Sequence, residues 1–227
     1  MLAYRMSQDA FFKDKSVLIL DKSDKKINDR TWCFWSQHTA EWDAVISKKW
    51  KTLRFKSTGF DAKIPLKKYT YSKIEGLDFY NQIFEQLQAS KNFQFRTETY
   101  LSHREHSVSV EVQTKNNIYS AEKLFTSILP PERLEKQTQF PVLQQHFIGW
   151  EVETPSSVFE PEIATFMDFD IPQRGNTRFM YVLPTAKNKA LVEYTLFSEK
   201  LLPKAEYEVA IQEYLEELGV TEYTIHS

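Results

Sequence analysis

The chain has 227 residues, enough for one sizeable domain or two interleaved ones without covalent staples. Its 29 basic and 31 acidic residues leave a net charge of -2, which argues against a general nucleic-acid binder, because phosphate contacts need a basic surplus. A single cysteine, Cys33, excludes an internal disulfide framework and a cysteine-rich zinc site, and makes a reducing cytoplasm the default compartment.

The amino terminus, MLAYRMSQDAFFKDK, lacks the apolar core and small-residue cleavage site of a signal peptide. No later run approaches the roughly 18–20 apolar residues that span a bilayer. Residues 2–12 carry helical spacing, with Leu2, Ala3, Met6 and Ala10 on one face. SVLIL follows and ends in Asp21. Helix, strand and acid in that order form the second half of a β-α-β dinucleotide unit, in which the acid accepts hydrogen bonds from a ribose hydroxyl. The fingerprint glycines of such a unit lie about 20 residues before the acid. Counting back from Asp21 reaches Met1, and no Gly-x-Gly-x-x-Gly occurs in the sequence. The glycine loop is therefore expected upstream of residue 1, with residues 2–12 as the helix whose amino end holds a pyrophosphate.

Asp78 is placed to cap a helix over 79–89 that buries Phe79, Ile83, Phe84 and Leu87. Residues 93–96 read as a short strand, and 107–112 with 118–125 as a hairpin around Lys115-Asn116-Asn117. Aromatic and β-branched runs at 146–153, 164–169, 178–183 and 190–197 predict an antiparallel sheet. Residues 204–218 predict an amphipathic helix, started by Pro203, ended by Gly219, and burying Tyr207, Ile211, Tyr214, Leu215 and Leu218. A strand-like 223–225 follows. The five histidines show no metal-ligand spacing, no metal site is expected, and neither a phosphate-binding loop nor a serine-nucleophile motif is present.

Motifs sharpen this outline. KSDKKINDRTWCFW, just after Asp21, resembles the Asn-x-x-Thr-Trp-x-Phe-aromatic signature of the lycopene β-cyclase family through Asn28, Thr31, Trp32, Phe34 and Trp35. HFIGWEVET resembles its Gly-Trp-x-x-x-Thr strand through Gly149, Trp150 and Thr154, and ATFMDFD its Met-Asp-Phe block through Met167, Asp168 and Phe169. RFMYVLPTAKNKALVEYTLFS resembles the Tyr-x-Leu-Pro strand followed by the strand that carries the family's essential carboxylate. The blocks occur in the family's order. LFTSILPP at 124–131 departs from the family pattern, in which an Asp and an Arg lie near the positions of Thr126 and Ile128.

The resemblance implies a mixed α/β chain: an incomplete, Rossmann-like FAD-binding fold with an antiparallel-sheet substrate domain, read as shortened at both ends. The expected division is a partial FAD region at 1–75, the rest of the cofactor domain at 76–135, and substrate sheet and helix at 136–227. It implies conversion of lycopene to β-carotene by acid-initiated ring closure, with reduced FAD as a non-redox cofactor and NAD(P)H as its reductant. A C40 hydrocarbon resides in lipid, so a cytoplasmic, peripherally membrane-associated enzyme is expected.

Such chemistry needs a carboxylic acid still protonated near neutral pH, a stabiliser of positive charge and an apolar tunnel. Glu193 is the candidate acid: it shares a strand face with Leu191, Thr195 and Phe197, and burial there raises a carboxyl pKa. Asp168 is the second candidate catalytic residue, as a polar contact near the site or as a turn cap. Asp21 is the cofactor-binding acid, and Trp32, Phe34, Trp35 and Trp150 are candidate tunnel walls or core. An aromatic face offers a cation roughly 0.5–2 kcal/mol. A full negative charge about 4 Å away, as on a reduced flavin, offers up to ~4 kcal/mol at an effective dielectric near 20. Two alternatives are a related flavin-dependent isoprenoid reductase or monooxygenase, and a non-catalytic fragment.

Overall fold

The computed structural model describes residues 1–37, 41–128, 139–140 and 142–226. In chain order its strands begin with β1 (Val17–Asp21), β2 (Thr31–Ser36), β3 (Ile46–Trp50), β4 (Thr52–Ser57) and β5 (Phe60–Pro65). Next come β6 (Thr70–Glu75), β7 (Phe93–Thr97), β8 (Tyr100–Glu105), β9 (Val110–Thr114) and β10 (Ile118–Ala121). The last are β11 (Gln144–Glu153), β12 (Ile163–Asp168), β13 (Arg178–Ala186), β14 (Lys189–Ser198) and β15 (Thr224–Ile225). The helices described are α1 (Leu2–Gln8), α2 (Gly76–Gln88) and α3 (Lys204–Glu217).

The chain forms two units, one of Met1–Cys33, Ala40–Ser47 and Lys73–Pro130, the other of Phe34–Thr39, Lys48–Ser72 and Pro131–Ser227. This differs from the three consecutive blocks expected, since residues 48–72 group with the carboxy-terminal half. The expected boundary at 135–136 and the end of 124–131 lie outside the described residues.

In the first unit β1 pairs in parallel with β7, from Val17↔Phe93 to Asp21↔Thr97. Parallel strands need a crossover, and α2 lies between them in sequence. Tyr4 of α1 packs on Ile83 and Leu87 of α2, with Ile19 of β1 and Phe93 of β7 against them. The first helix is shorter than residues 2–12. Asp9 turns to extended backbone and its carboxylate accepts from the Phe11 N–H, restarting the chain as a 3-10 turn at Ala10–Phe12. The buried residues of α1 are therefore Tyr4 and Met6, while Leu2 is exposed. α2 also begins earlier than expected. Gly76 N–H donates to Arg30 O at 2.8 Å, and a Cβ on Gly76 would lie 2.7 Å from that oxygen. Only glycine permits that approach, so Asp78 falls inside the first turn instead of capping it. The expected hairpin is β9–β10, and β8 adds a third strand in the order β10-β9-β8.

The second unit is a seven-stranded sheet in the order β15-β11-β14-β13-β12-β4-β5. Its centre is antiparallel: β14 lies between β11 and β13, and β13 turns into β14 across Lys187-Asn188. β12 runs parallel to β4, the hairpin partner of β5. One face of the sheet, through Val152, Met180, Val182, Val192, Tyr194 and Leu196, buries Tyr207, Ile211, Tyr214 and Leu215 of α3. Each such aliphatic side chain contributes about 1.5–3 kcal/mol by leaving water, so packing attaches this helix. Gly219, at φ +78°, ends it: Gly219 N–H donates to Glu216 O and Val220 N–H to Leu215 O, the paired bonds of a left-handed helix end. Among the described residues no helix is long and apolar enough to cross a membrane.

Candidate functional site

Side chains alternate across a strand, so residues paired in register share a face. Glu193 pairs with Gly149 on one side and Tyr181 on the other. It therefore stands on the face turned away from α3, with Leu191 and Thr195 of its own strand. Tyr181 begins a run of rings on that face. Its ring is 5.1 Å from Phe179 and 5.8 Å from Phe166, and Phe166 is 5.2 Å from Trp35 and 5.5 Å from Tyr71. Trp35 is 43% exposed, so the run reaches the surface. The result is an apolar, π-rich wall beside a carboxyl group.

Gly149 makes room for that carboxyl. A Cβ there would sit 3.1 Å from Leu191 Cδ1, 3.4 Å from Glu193 Cβ and 3.5 Å from Glu193 Cγ. Thr195 Oγ1 donates to Glu193 Oε1 at 2.6 Å. Burial pushes the Glu193 carboxyl above the usual carboxylate range, and the Thr195 hydroxyl draws it part of the way back. A half-buried acid biased toward its protonated form, facing aromatic rings, can donate a proton to an apolar substrate and leave the resulting cation beside π-faces.

The other sequence-predicted residues separate. Asp168 is 2% exposed and belongs to the helix side of the sheet, where its Oδ2 accepts from Tyr214 OH at 2.9 Å. Its Oδ1 accepts from Asp170 N–H at 2.9 Å, and Lys56 Nζ lies 3.7 Å from Oδ2. Asp168 thus caps a turn and ties down α3, and it does not share the face of Glu193. For Trp150 the structure takes the core alternative. It pairs with Val192, is 8% exposed, and packs into the α3 core. One step of alternation separates it from Gly149. Trp35 joins the ring run near Glu193, whereas Trp32 packs edge-on to Phe79 and Tyr80 in the first unit. Phe34 is half-buried in β2. Sequence reasoning missed Tyr181 and Phe166 as walls, although Tyr181 opens the Tyr-x-Leu-Pro block. Cross-strand register was the absent information.

The Asn-x-x-Thr signature has a structural reason that its spacing did not disclose. Asn28 Nδ2 donates to Glu75 Oε2 at 2.8 Å, and Thr31 Oγ1 reaches the same oxygen at 3.3 Å. Lys73 Nζ pairs with Glu75 Oε1 at 2.8 Å, and Leu77 N–H donates to Asn28 Oδ1. These bonds hold the loop after β1 against the start of α2. Asp29 accepts from Tyr80 OH at 2.7 Å, which keeps the Asp29 carboxyl low, while burial, helped by that bond, raises the Tyr80 phenol to about 12.

Asp21 closes β1 as a dinucleotide acid should. Its Oδ1 accepts from Ser23 N–H at 2.9 Å and its Oδ2 lies 3.1 Å from Lys25 Nζ. Each oxygen keeps a further lone pair, and the side chain is 34% exposed, so the residue fits the ribose of a dinucleotide. The described residues offer no glycine cradle for a pyrophosphate.

A second polar chain lies on the helix face. Tyr207 OH meets His146 Nδ1 at 2.6 Å while accepting from Leu202 N–H, and His146 Nε2 meets Ser198 Oγ at 2.8 Å. Ser198 donates in turn to Lys200 O. With Tyr207 donating to Nδ1, Nε2 carries the ring proton and cannot act as a base toward Ser198. This is a buried strut, not a nucleophile. A groove of about 430 Å³ beside α3, lined by Met180, Tyr194, Glu213 and Tyr214, is on that face too.

Solved structures with the same fold include the halogenase PltM, one structure of which holds FAD. The halogenase PltM superposes with a TM-score of 0.70 at 11% identity, over 99% of this chain and 55% of the other. A geranylgeranyl bacteriochlorophyll reductase-like protein from Thermoplasma acidophilum gives 0.68 at 11% identity, over 99% and 61%. The p-nitrophenol 4-monooxygenase PnpA from Pseudomonas putida DLL-E4 gives 0.63 at 13%, over 99% and 62%. The chain spans less than two thirds of each of these neighbours, and at such identities the likeness establishes the fold. No curated protein matches it by sequence. The family model described as lycopene cyclase protein matches residues 1–227, and the chain belongs to that family.

Proposed function

We propose that this protein takes part in carotenoid biosynthesis as a lycopene β-cyclase, with Glu193 as the acid that starts ring closure. One observation carries the reading: a half-buried carboxyl, raised by burial, stands on the ring-lined face of the sheet. Family membership supports the carotenoid substrate.

The reaction is an isomerisation. The Glu193 O–H bond breaks as a C–H bond forms on the terminal alkene, and the electron pair stays on the carboxylate. A neighbouring double bond then attacks the carbocation, and the new ring returns one proton to the Glu193 carboxylate as the C–H electrons become the ring double bond. One proton enters and one leaves, with no net redox change. Tyr181 and Phe166, with Trp35 at the exposed end of the run, offer π-faces to the cation. Asp21 would hold the ribose of bound FAD, a cofactor carried by a solved halogenase structure of the same fold. Reduced FAD, when bound, would supply negative charge that favours a developing cation, and NAD(P)H would be needed only to keep it reduced. The substrate's residence in lipid supports a cytoplasmic enzyme that touches the membrane surface.

The test is pigment conversion in lycopene-accumulating bacteria expressing the complete reading frame that encodes these residues. β-Carotene is expected from the unaltered protein and unchanged lycopene from Glu193→Gln. Unchanged lycopene beside soluble, flavin-loaded protein would sink the cyclase reading. The names of the solved neighbours favour a second reading, a redox flavoenzyme such as an isoprenoid reductase or monooxygenase. Lycopene left unchanged by flavin-loaded protein that reduces or oxygenates an isoprenoid, with Glu193→Gln as active as the unaltered protein, would select it.

A further inference from the structure

Glutamate is a long side chain, and on a strand its carboxyl has several staggered positions to choose from. A proton donor must instead hold one oxygen toward the substrate, because misplacement by a fraction of a bond length lowers the rate steeply. The residue two positions along shares its face, roughly 7 Å away. In β14 that residue is Thr195, whose hydroxyl lies 2.6 Å from Glu193 Oε1. Thr195 is itself well placed to hold. It is 0% exposed, pairs with Phe147 on one side and Phe179 on the other, and is β-branched, so its χ1 is stiff. On the side of Gly149 the glutamate stem meets no Cβ at all.

We propose that Thr195 is the positioning residue of this site: by donating to Oε1 it makes Oε1 the acceptor oxygen of the acid and leaves Oε2 to carry the proton that is transferred. A neutral carboxyl has one acceptor oxygen and one O–H, so a fixed donor at the first selects the second. When the Oε2–H bond breaks and the electron pair remains on the carboxylate, the same Thr195 bond becomes charge-assisted and therefore stronger. Thr195 thus orients the acid and eases its ionisation. The inference rests on the reading of Glu193 as proton donor.

Two measurements separate that reading from the proposal. In the purified protein, the infrared band of the Glu193 carboxyl, assigned by its loss in Glu193→Gln, is followed against pH without turnover. In Thr195→Val the band's titration should move up by roughly one pH unit, because a hydrogen bond favouring the charged form is gone. Thr195→Ser should restore it, and Thr195→Ala serves if the valine variant does not fold. With lycopene supplied, Thr195→Val should lower kcat roughly 10-fold with KM unchanged, and the loss of activity at rising pH should shift upward with the band. A titration and kcat identical to the unaltered protein's in the folded hydroxyl-less variants would overturn the proposal while leaving Glu193 as the acid. Turnover that survives Glu193→Gln overturns both.

Discussion

The two faces of the seven-stranded sheet treat polar groups differently. On the helix face Asp168 accepts from Tyr214 OH, Arg178, which begins β13, donates to Tyr194 OH, and His146 stands between Tyr207 and Ser198. Such pairing removes the cost of burial and leaves nothing over for chemistry. On the opposite face Glu193 is held at one oxygen by one hydroxyl, its ionised form is disfavoured by burial, and its neighbours are rings. A buried charge fully satisfied is architecture, whereas a carboxyl satisfied at one end and biased toward its acid form is a reagent in waiting.

The sharpest way to break this contrast is to weaken the helix face alone. Leu215→Ala removes a fully buried side chain and should cost about 2–5 kcal/mol in urea denaturation. Glu193→Gln should cost far less, and equal losses would erase the distinction. Asp168→Ala comes next. It leaves the buried Tyr214 hydroxyl without its acceptor and should lose roughly 2–3 kcal/mol, while conversion per folded molecule is retained. Conversion abolished in folded Asp168→Ala would return that residue to the chemistry.

Gly149→Ala probes the other face. Its new methyl must displace Leu191 or the Glu193 stem, for a stability loss of about 1 kcal/mol but a larger fall in conversion. Unchanged conversion would mean that the glutamate stem has more room than its packing indicates. The smallest effect is a pH dependence. The folded-state pKa of Glu193 is raised above its ordinary value of 4.5, so its contribution to stability is full below that value and is lost as pH rises through the folded pKa. Glu193→Gln lacks that loss. Its melting temperature relative to the unaltered protein should therefore climb between acidic and mildly alkaline pH, and a flat difference would contradict the raised pKa.

Much of this was legible in the residues. Alternation in 190–197 put Glu193, Leu191 and Thr195 together and set Val192 and Tyr194 apart from them, as β14 shows. Helical spacing and Gly219 marked α3, and an apolar run ending in an acid marked β1. β4 and β5 were not legible, because β5 is an exposed edge strand with little inside–outside contrast. Nor was Glu75, whose bonds to Asn28 and Thr31 span more than forty positions.

By itself, then, the sequence determined the strongly patterned elements, the family motifs and which neighbours along a single strand share a side, because those follow from local periodicity. Which side faces α3 and which faces the rings was decided only by tertiary structure, since register between distant strands and the docking of a helix are set by packing. That is why Glu193 stands among the rings, while Asp168 and Trp150, read from the same motifs, belong to the core behind it.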